Sequence, residues 1–357
     1  MPDRQDFFAE MTTALNARAG DGERDAIFQP GKVKVRLIEA HPAEPGTDGA
    51  TQLLRESFER HGLVLEPFAD DLVLVRGDND LVLAIDTIDP RFWQVFSTSL
   101  AEPFSRAMKR VLSQTTLLDS AWMPKSLLQE MDGTHRWLKS SFESDDLLGD
   151  QSPTRRWRAR FEGDAPDELL ELLGRDPRYA RASALAAIGS TLSETGVGAA
   201  QLFADWQGTF TIASGDFNVG ASAITRAAER YANFVRGLED RYRLQFGSDA
   251  ALDHGITLDG DVAVIPFDDP VADVGKLVEG MFLAKEPFRL VAVPKQIDDN
   301  EWEANAVDLH VGQPLRLEIS SYRVRVLLGE HTCGNTLARL LTNLQHRLDA
   351  RVALQPA

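Results

Sequence analysis

The chain has 357 residues, 43% hydrophobic and 26% charged, the balance of a folded globular protein rather than a disordered or fibrous one. Its net charge of −17 repels phosphate backbones at long range, which disfavours nucleic-acid and anionic-membrane partners unless a local basic patch overrides it. A single cysteine excludes an intrachain disulfide and a multi-cysteine zinc site, and no apolar run reaches the roughly 18 residues of a membrane span or the length of a signal peptide, so a reducing, cytoplasmic setting is expected.

At this length two or three packed units are expected. In the first, residues 1–150, the alternating run VKVRLIEA (33–40) reads as a strand, and a loop at 41–52 leads to a helix carrying Leu53, Leu54 and Phe58. LVLEPF, DLVLVRG and DLVLAID follow as three strands of an antiparallel meander, and Phe104, Ala107, Met108, Val111 and Leu112 form the inner face of a helix. The Asp-, Gly- and Ser-rich stretch at 144–154 marks a boundary.

The middle unit, 151–248, opens on the strand WRARFEG and a helix for which Asp164 supplies a cap and Pro166 a first-turn residue. It ends on the strongest helix signal in the chain, roughly 219–243, where Ile224, Ala227, Ala228, Tyr231, Phe234, Val235, Leu238 and Tyr242 share one stripe. A second boundary at 247–261 introduces the last unit, 249–357. Its elements are the strand VAVIPF, a helix opened by Asp268-Asp269-Pro270, strands over 304–328, and a final helix with Leu337, Leu340, Leu341, Leu344 and Leu348 inward. The fold class is therefore α+β, with small antiparallel or mixed sheets each flanked by amphipathic helices.

Chemistry concentrates in the last unit. Val307, Leu309 and Val311 alternate with Asp308 and His310, so the latter pair project together from the opposite, polar face of a strand. Glu318 has two readings. In a two-residue hairpin at Ser320-Ser321 it lies opposite Arg323 as an ion pair; alternatively Asp308, His310 and Glu318 form a divalent-metal site for hydrolysis. A nuclease of the Asp…Glu-x-Lys kind would want lysine where Ser320 stands, which counts against that variant.

Cys333 lies just ahead of the final helix, whose cap is expected at Asn335 or Thr336. With His331 as base it could form a thiol site, but the two are within one turn and no nucleophile signature surrounds them, so a small buried residue is the stronger reading. His346, opposite the leucines, is expected in solvent.

In TRRWRARF, strand alternation puts Arg156, Arg158 and Arg160 in one row suited to phosphate, with Glu162 and Asp164 near enough to neutralise it. Neither a Gly-x-Gly-x-x-Gly nor a Gly-Lys-Ser/Thr loop is present, which disfavours ATP or NAD chemistry. Since no motif meets a geometric template for reaction, the expected function is that of a non-catalytic interaction or regulatory subunit, with a protein partner or a second copy of the chain. The alternatives are a metal-dependent hydrolase or nuclease with its site in the last unit, and a phosphate- or nucleic-acid-binding protein using the arginine row. No cofactor is required, although the Asp308, His310, Glu318 set admits a divalent metal.

Overall fold

The computed structural model describes residues 3–17, 27–28, 30–43, 46–69, 71–130, 137–145, 147–148, 156–163, 172–249, 255–283 and 286–355. Eleven strands form one antiparallel sheet: β1 (Val33–Ala40), β2 (Val64–Ala69), β3 (Leu72–Gly77), β4 (Leu81–Asp86), β5 (Phe92–Ser97), β6 (Leu118–Ser120), β7 (Trp137–Asp145), β8 (Arg156–Glu162), β9 (Ala184–Glu194), β10 (Gly198–Asp205) and β11 (Thr209–Gly215). The order is β2-β3-β4-β5-β1-β11-β10-β9-β7-β8, with β6 also on β1. The α+β class holds. The division at residue 150, however, does not separate sheets, because β1 pairs β11 through Val33↔Ile212 and Val35↔Phe210.

The second part of the chain forms β12 (Gln245–Asp249) paired with β13 (Gly255–Asp259), and a six-stranded antiparallel sheet. Its strands are β14 (Ala263–Pro266), β15 (Leu290–Ala292), β16 (Lys295–Asp298), β17 (Glu301–Asp308), β18 (Pro314–Ser320) and β19 (Arg323–Leu328). The helices are α1 (Arg4–Asn16), α2 (Thr47–Glu59), α3 (Ala101–Gln114), α4 (Lys125–Gln129), α5 (Pro177–Ala182), α6 (Phe217–Tyr242), α7 (Val274–Met281) and α8 (Gly334–Arg347).

The meander β2 to β5 forms because each strand presents apolar residues to α2 and α3, burying Leu54, Phe58, Trp93, Phe104 and Val111 in one cluster. The expected stripe of α6 is buried except for the half-buried Phe234, and Asp216 caps the helix by accepting from the backbone N–H of Asn218 and Val219. α7 starts later than expected: Asp273, not Asp268 or Asp269, accepts from Lys276 N–H and sets the boundary. Asp164 and Pro166 lie outside the described residues.

α8 is buried along nearly its whole circumference, from Gly334 to His346. Its leucines serve the C-terminal core, and its other faces meet α6, β7 and β9. A helix enclosed on all sides must satisfy its polar residues internally. Asn335 and Arg339 therefore reach across to Ser120 and Asp119 of the large sheet, while Thr336 and Arg339 hold Asp308 of β17, and together they build the site described next.

Candidate metal centre

β17 runs in the opposite phase to the sequence expectation. Ala304, Ala306 and Asp308 face inward, on the same side as Trp302, while Asn305 and Val307 are exposed. Asp308 and His310 do lie together, but with no exposed surface rather than on a solvent face.

Glu318 is elsewhere. The β18–β19 register pairs Ile319 with Val324 and Glu318 with Arg325, so the two-residue connection is Ser321-Tyr322, one residue later than expected, and Arg323 is not its partner. Arg325 and Arg316, the latter at 3.4 Å, hold the Glu318 carboxylate. Glu318 sits opposite Glu303, five residues along β17 from Asp308, which is about 17 Å. The Asp308, His310, Glu318 set therefore does not assemble.

What His310 meets instead is Glu39, from the end of β1. Its Nε2 lies 3.5 Å from Glu39 Oε2, and among the described residues neither ring nitrogen of this fully buried imidazole makes a hydrogen bond of good geometry. His41 Nε2 is 3.2 Å from Glu39 Oε1, and the two imidazole rings meet edge to face with centroids 5.0 Å apart. Cys333 Sγ stands 3.2 Å from both Glu39 oxygens. One donor atom from each of Glu39, His41, His310 and Cys333 lies within 4.8 Å of the others.

Cys333 is itself the N-cap of α8, where its sulfur accepts from Asn335 N–H at 3.2 Å, two to three residues earlier than the expected cap. His331 is exposed and is not part of the cluster.

Arg91 closes the other side. Its Nε donates to Glu39 at 2.9 Å, its Nη1 donates to Glu239 at 2.9 Å, and its Nη2 comes within 3.6 Å of Cys333 Sγ. Glu239, near the end of α6, also accepts from Gly334 N–H at 2.9 Å. Behind the cluster, Arg339 bridges the carboxylates of Asp308 and Asp119, and Asp308 accepts from Thr336 Oγ1 and from His310 N–H. Asp308 is thus a positioning residue for the His310 turn and not a donor facing the cluster.

The electrostatics follow from burial. Burial opposes ionisation of Glu39 but is outweighed by His41, His310 and Arg91, which hold its carboxyl well below the usual range. Burial lowers His310 toward the neutral imidazole, against the pull of Glu39. Burial first, and Glu39 second, push the Cys333 thiol well above its usual range. Burial of Cys333 disfavours the thiolate, and His331 is exposed outside the cluster, so the expected Cys333–His331 pair does not assemble.

Glu39, His41, Arg91 and Glu239 had not been singled out in the sequence. The available signal was Glu-x-His at the end of VKVRLIEAH, the same i, i+2 spacing that drew attention to Asp308 and His310. His346 also departs from expectation: it is buried, stacked on Trp206 at 3.9 Å between centroids, with Nδ1 3.6 Å from Glu143.

Of the arginine row, the Arg156 side chain lies outside the described residues. Arg158 and Arg160 are exposed, Arg158 donating to Glu143 at 2.7 Å and Arg160 lying 3.6 Å from Glu162, so acids share the row as expected.

Fold and site together define an α+β protein with a buried carboxylate, imidazole and thiol cluster between its two main sheets. The chain belongs to the family described as MJECL33-like protein, whose pattern it matches over residues 1–357. It is 29% identical over 143 residues to a protein of Methanocaldococcus jannaschii described as uncharacterized protein MJECL33, a stretch covering 40% of this chain and 35% of that relative. The match thus spans about a third of the relative's length. No solved structure matches the chain. Among the described residues, no helix is long and apolar enough to cross a membrane.

Proposed function

We propose that Glu39, His41, His310 and Cys333 hold one divalent transition-metal ion of the zinc type, and that the protein is a non-catalytic interaction or regulatory protein which this ion braces. The observation that carries the reading is His310: a fully buried imidazole whose ring nitrogens make no hydrogen bond of good geometry among the described residues, with Nε2 3.5 Å from the Glu39 carboxylate and beside a thiol and a second imidazole. Buried polar atoms without partners are costly, and a metal bond is one of the few ways to satisfy an imidazole nitrogen in such a place.

The donor set of one sulfur, two nitrogens and one oxygen suits zinc. Tetrahedral bonds of about 2.0–2.3 Å put donors roughly 3.3–3.8 Å apart, so donors now within 4.8 Å of one another need close by little more than an ångström. Charges balance as well. A dication offsets Glu39 and a Cys333 thiolate, while Arg91 is offset by Glu239 and remains as a hydrogen-bond donor beside the sulfur.

Four protein donors fill a tetrahedral shell and leave no position for water, which favours a bracing ion over a hydrolytic one. The ligands come from the end of β1, the turn after β17 and the start of α8, so the ion would tie the large sheet to the C-terminal unit. Native mass spectrometry of the protein recovered without chelators tests both halves of the proposal. One zinc-mass ion per chain, in a homo-oligomer or with a second protein at fixed stoichiometry, is the expected result. A metal-free lone chain that takes up neither zinc nor cobalt would overturn it.

A further inference from the structure

The outer face of the large sheet carries a groove of about 690 Å³, whose lining includes Lys32, Lys139, Arg158, Arg160, Phe203 and Trp206. Strand register explains its shape. Phe203, Gly189 and Lys139 lie in one cross-strand row on β10, β9 and β7, and Asp205, Ala187, Ser141 and Arg160 in the next, reaching β8. Glycine, alanine and serine therefore make a low floor. The Phe203 ring lies over Gly189, where a Cβ would come within 2.5 Å of the ring, and Lys139 Nζ stands 5.4 Å from the ring centroid. The arginines of β8 rise on the opposite side, three strand spacings or about 14 Å away.

This groove meets a second of about 420 Å³, lined by Trp157, His346 and Arg347, through the shared residues Glu143, Arg158 and Trp206. The aromatic residues that the sequence around Arg158 lacks at strand spacing arrive from other strands. Four cations line the main groove with two acids, Glu143 and the half-buried Asp205, whose carboxylate accepts from the backbone N–H of Gln207 and Thr209. The Arg160–Glu162 pair is solvent-exposed and contributes little, whereas Arg158 is held by the mostly buried Glu143 and Lys139 by Glu162, so phosphate would compete with those acids.

We propose that this face binds single-stranded nucleic acid, with a base against Phe203 and backbone phosphates at Lys32, Lys139, Arg158 and Arg160. Aromatic platforms beside a cationic track are the physical requirements for strand binding without sequence preference. The continuous groove extends beyond a single nucleotide, which favours a strand over a free nucleotide, and a duplex would not bring its bases to the aromatic rings. The overall charge of −17 does not oppose this locally, since the fields of exposed charges fade over about 8 Å at physiological salt. The inference is independent of the metal proposal.

The test is fluorescence anisotropy of the intact protein with a labelled twelve-residue oligothymidylate. Binding should weaken with salt at a logarithmic slope of roughly −3 if four phosphates are neutralised. The double variant Arg158→Glu, Arg160→Glu should abolish binding, and Phe203→Leu should weaken it roughly tenfold by removing a stacking platform. Thermal melts of each variant check folding, and Arg158→Gln, Arg160→Gln, which keeps polar side chains at both positions, provides a second, milder loss. No binding by the wild type, equal binding of thymidine monophosphate or duplex, or unchanged binding by folded arginine variants would overturn the proposal.

Discussion

The guanidinium of Arg339 donates to the carboxylate of Asp308, and neither side chain has any exposed surface. Asp119 takes a second donor of the same guanidinium, and the Phe288 carbonyl takes its Nε at 2.8 Å. Breaking a buried ion pair from one side strands the other charge, which costs about 3–5 kcal/mol. Asp308→Ala should therefore lower stability by that order in urea unfolding. Because Asp308 does not face the proposed metal cluster, Asp308→Asn, which retains an acceptor for the His310 and Thr336 donors, should keep any metal bound there while losing part of that stability. Loss of metal without loss of stability would make Asp308 a ligand instead.

A bound ion that the unfolded chain does not hold adds stability by mass action, about 2.7 kcal/mol when free metal is a hundredfold above its dissociation constant. A chelator should therefore lower the melting temperature of the wild type. Cys333→Ala and His310→Ala should melt lower from the start and be insensitive to chelator, since each removes a donor of the cluster. A chelator effect of equal size in both variants would place the ion elsewhere.

What could be read from the sequence was whatever is periodic within one element. The α6 stripe from Ile224 to Tyr242, the meander of β2 to β4 and the inner face of α3 all emerge because each helix or strand buries one face against one neighbour. Pairing between elements far apart in the chain, such as β1 with β11, leaves no local trace, and so the continuity of the large sheet across residue 150 was hidden.

The site was half legible for the same reason. His310 and Cys333 stood out by residue type and spacing, yet their partners Glu39 and His41 arrive from nearly 300 residues away. The phase of β17 is not legible locally because valine outside and alanine inside reverses the usual size preference. The burial of His346 is hidden for the same reason: its cover, Trp206, comes from another part of the chain.

Glu143 provides a pH signature away from the metal cluster. His346 first, and Arg158 second, lower its carboxyl to about 2 from the ordinary 4.5, against the opposing effect of burial. Trp206 Nε1 also donates to it at 3.0 Å. A carboxyl depressed by folding stabilises the native state above its unfolded value, and that contribution is lost as pH falls through the folded value. Between pH 4.5 and about 2 the wild type should therefore lose stability relative to Glu143→Gln, and the urea midpoints of the two should converge toward the acid end. Parallel curves across that window would show that the pairing has no energetic consequence.

The approach of α8 to α6 can be tested with two glycines. At Gly334, the first residue of α8, a Cβ would lie 2.4 Å from the Val235 carbonyl oxygen and 2.9 Å from Glu239 Cγ. Neither neighbour is free to yield, since Glu239 is held by Arg91 and accepts from Gly334 itself. Gly334→Ala should then force the helices apart, destabilising the protein by about 1–3 kcal/mol, and should lower metal content by displacing Cys333 one residue away. At Gly237, exposed in α6, a Cβ meets nothing within 4 Å. Gly237→Ala should instead stabilise by about 0.4–1 kcal/mol, because alanine restricts the unfolded chain without straining the folded one. Opposite signs in thermal unfolding would confirm that contact at Gly334, rather than helix propensity, governs how α8 is seated and thereby where its cap residue meets Glu39.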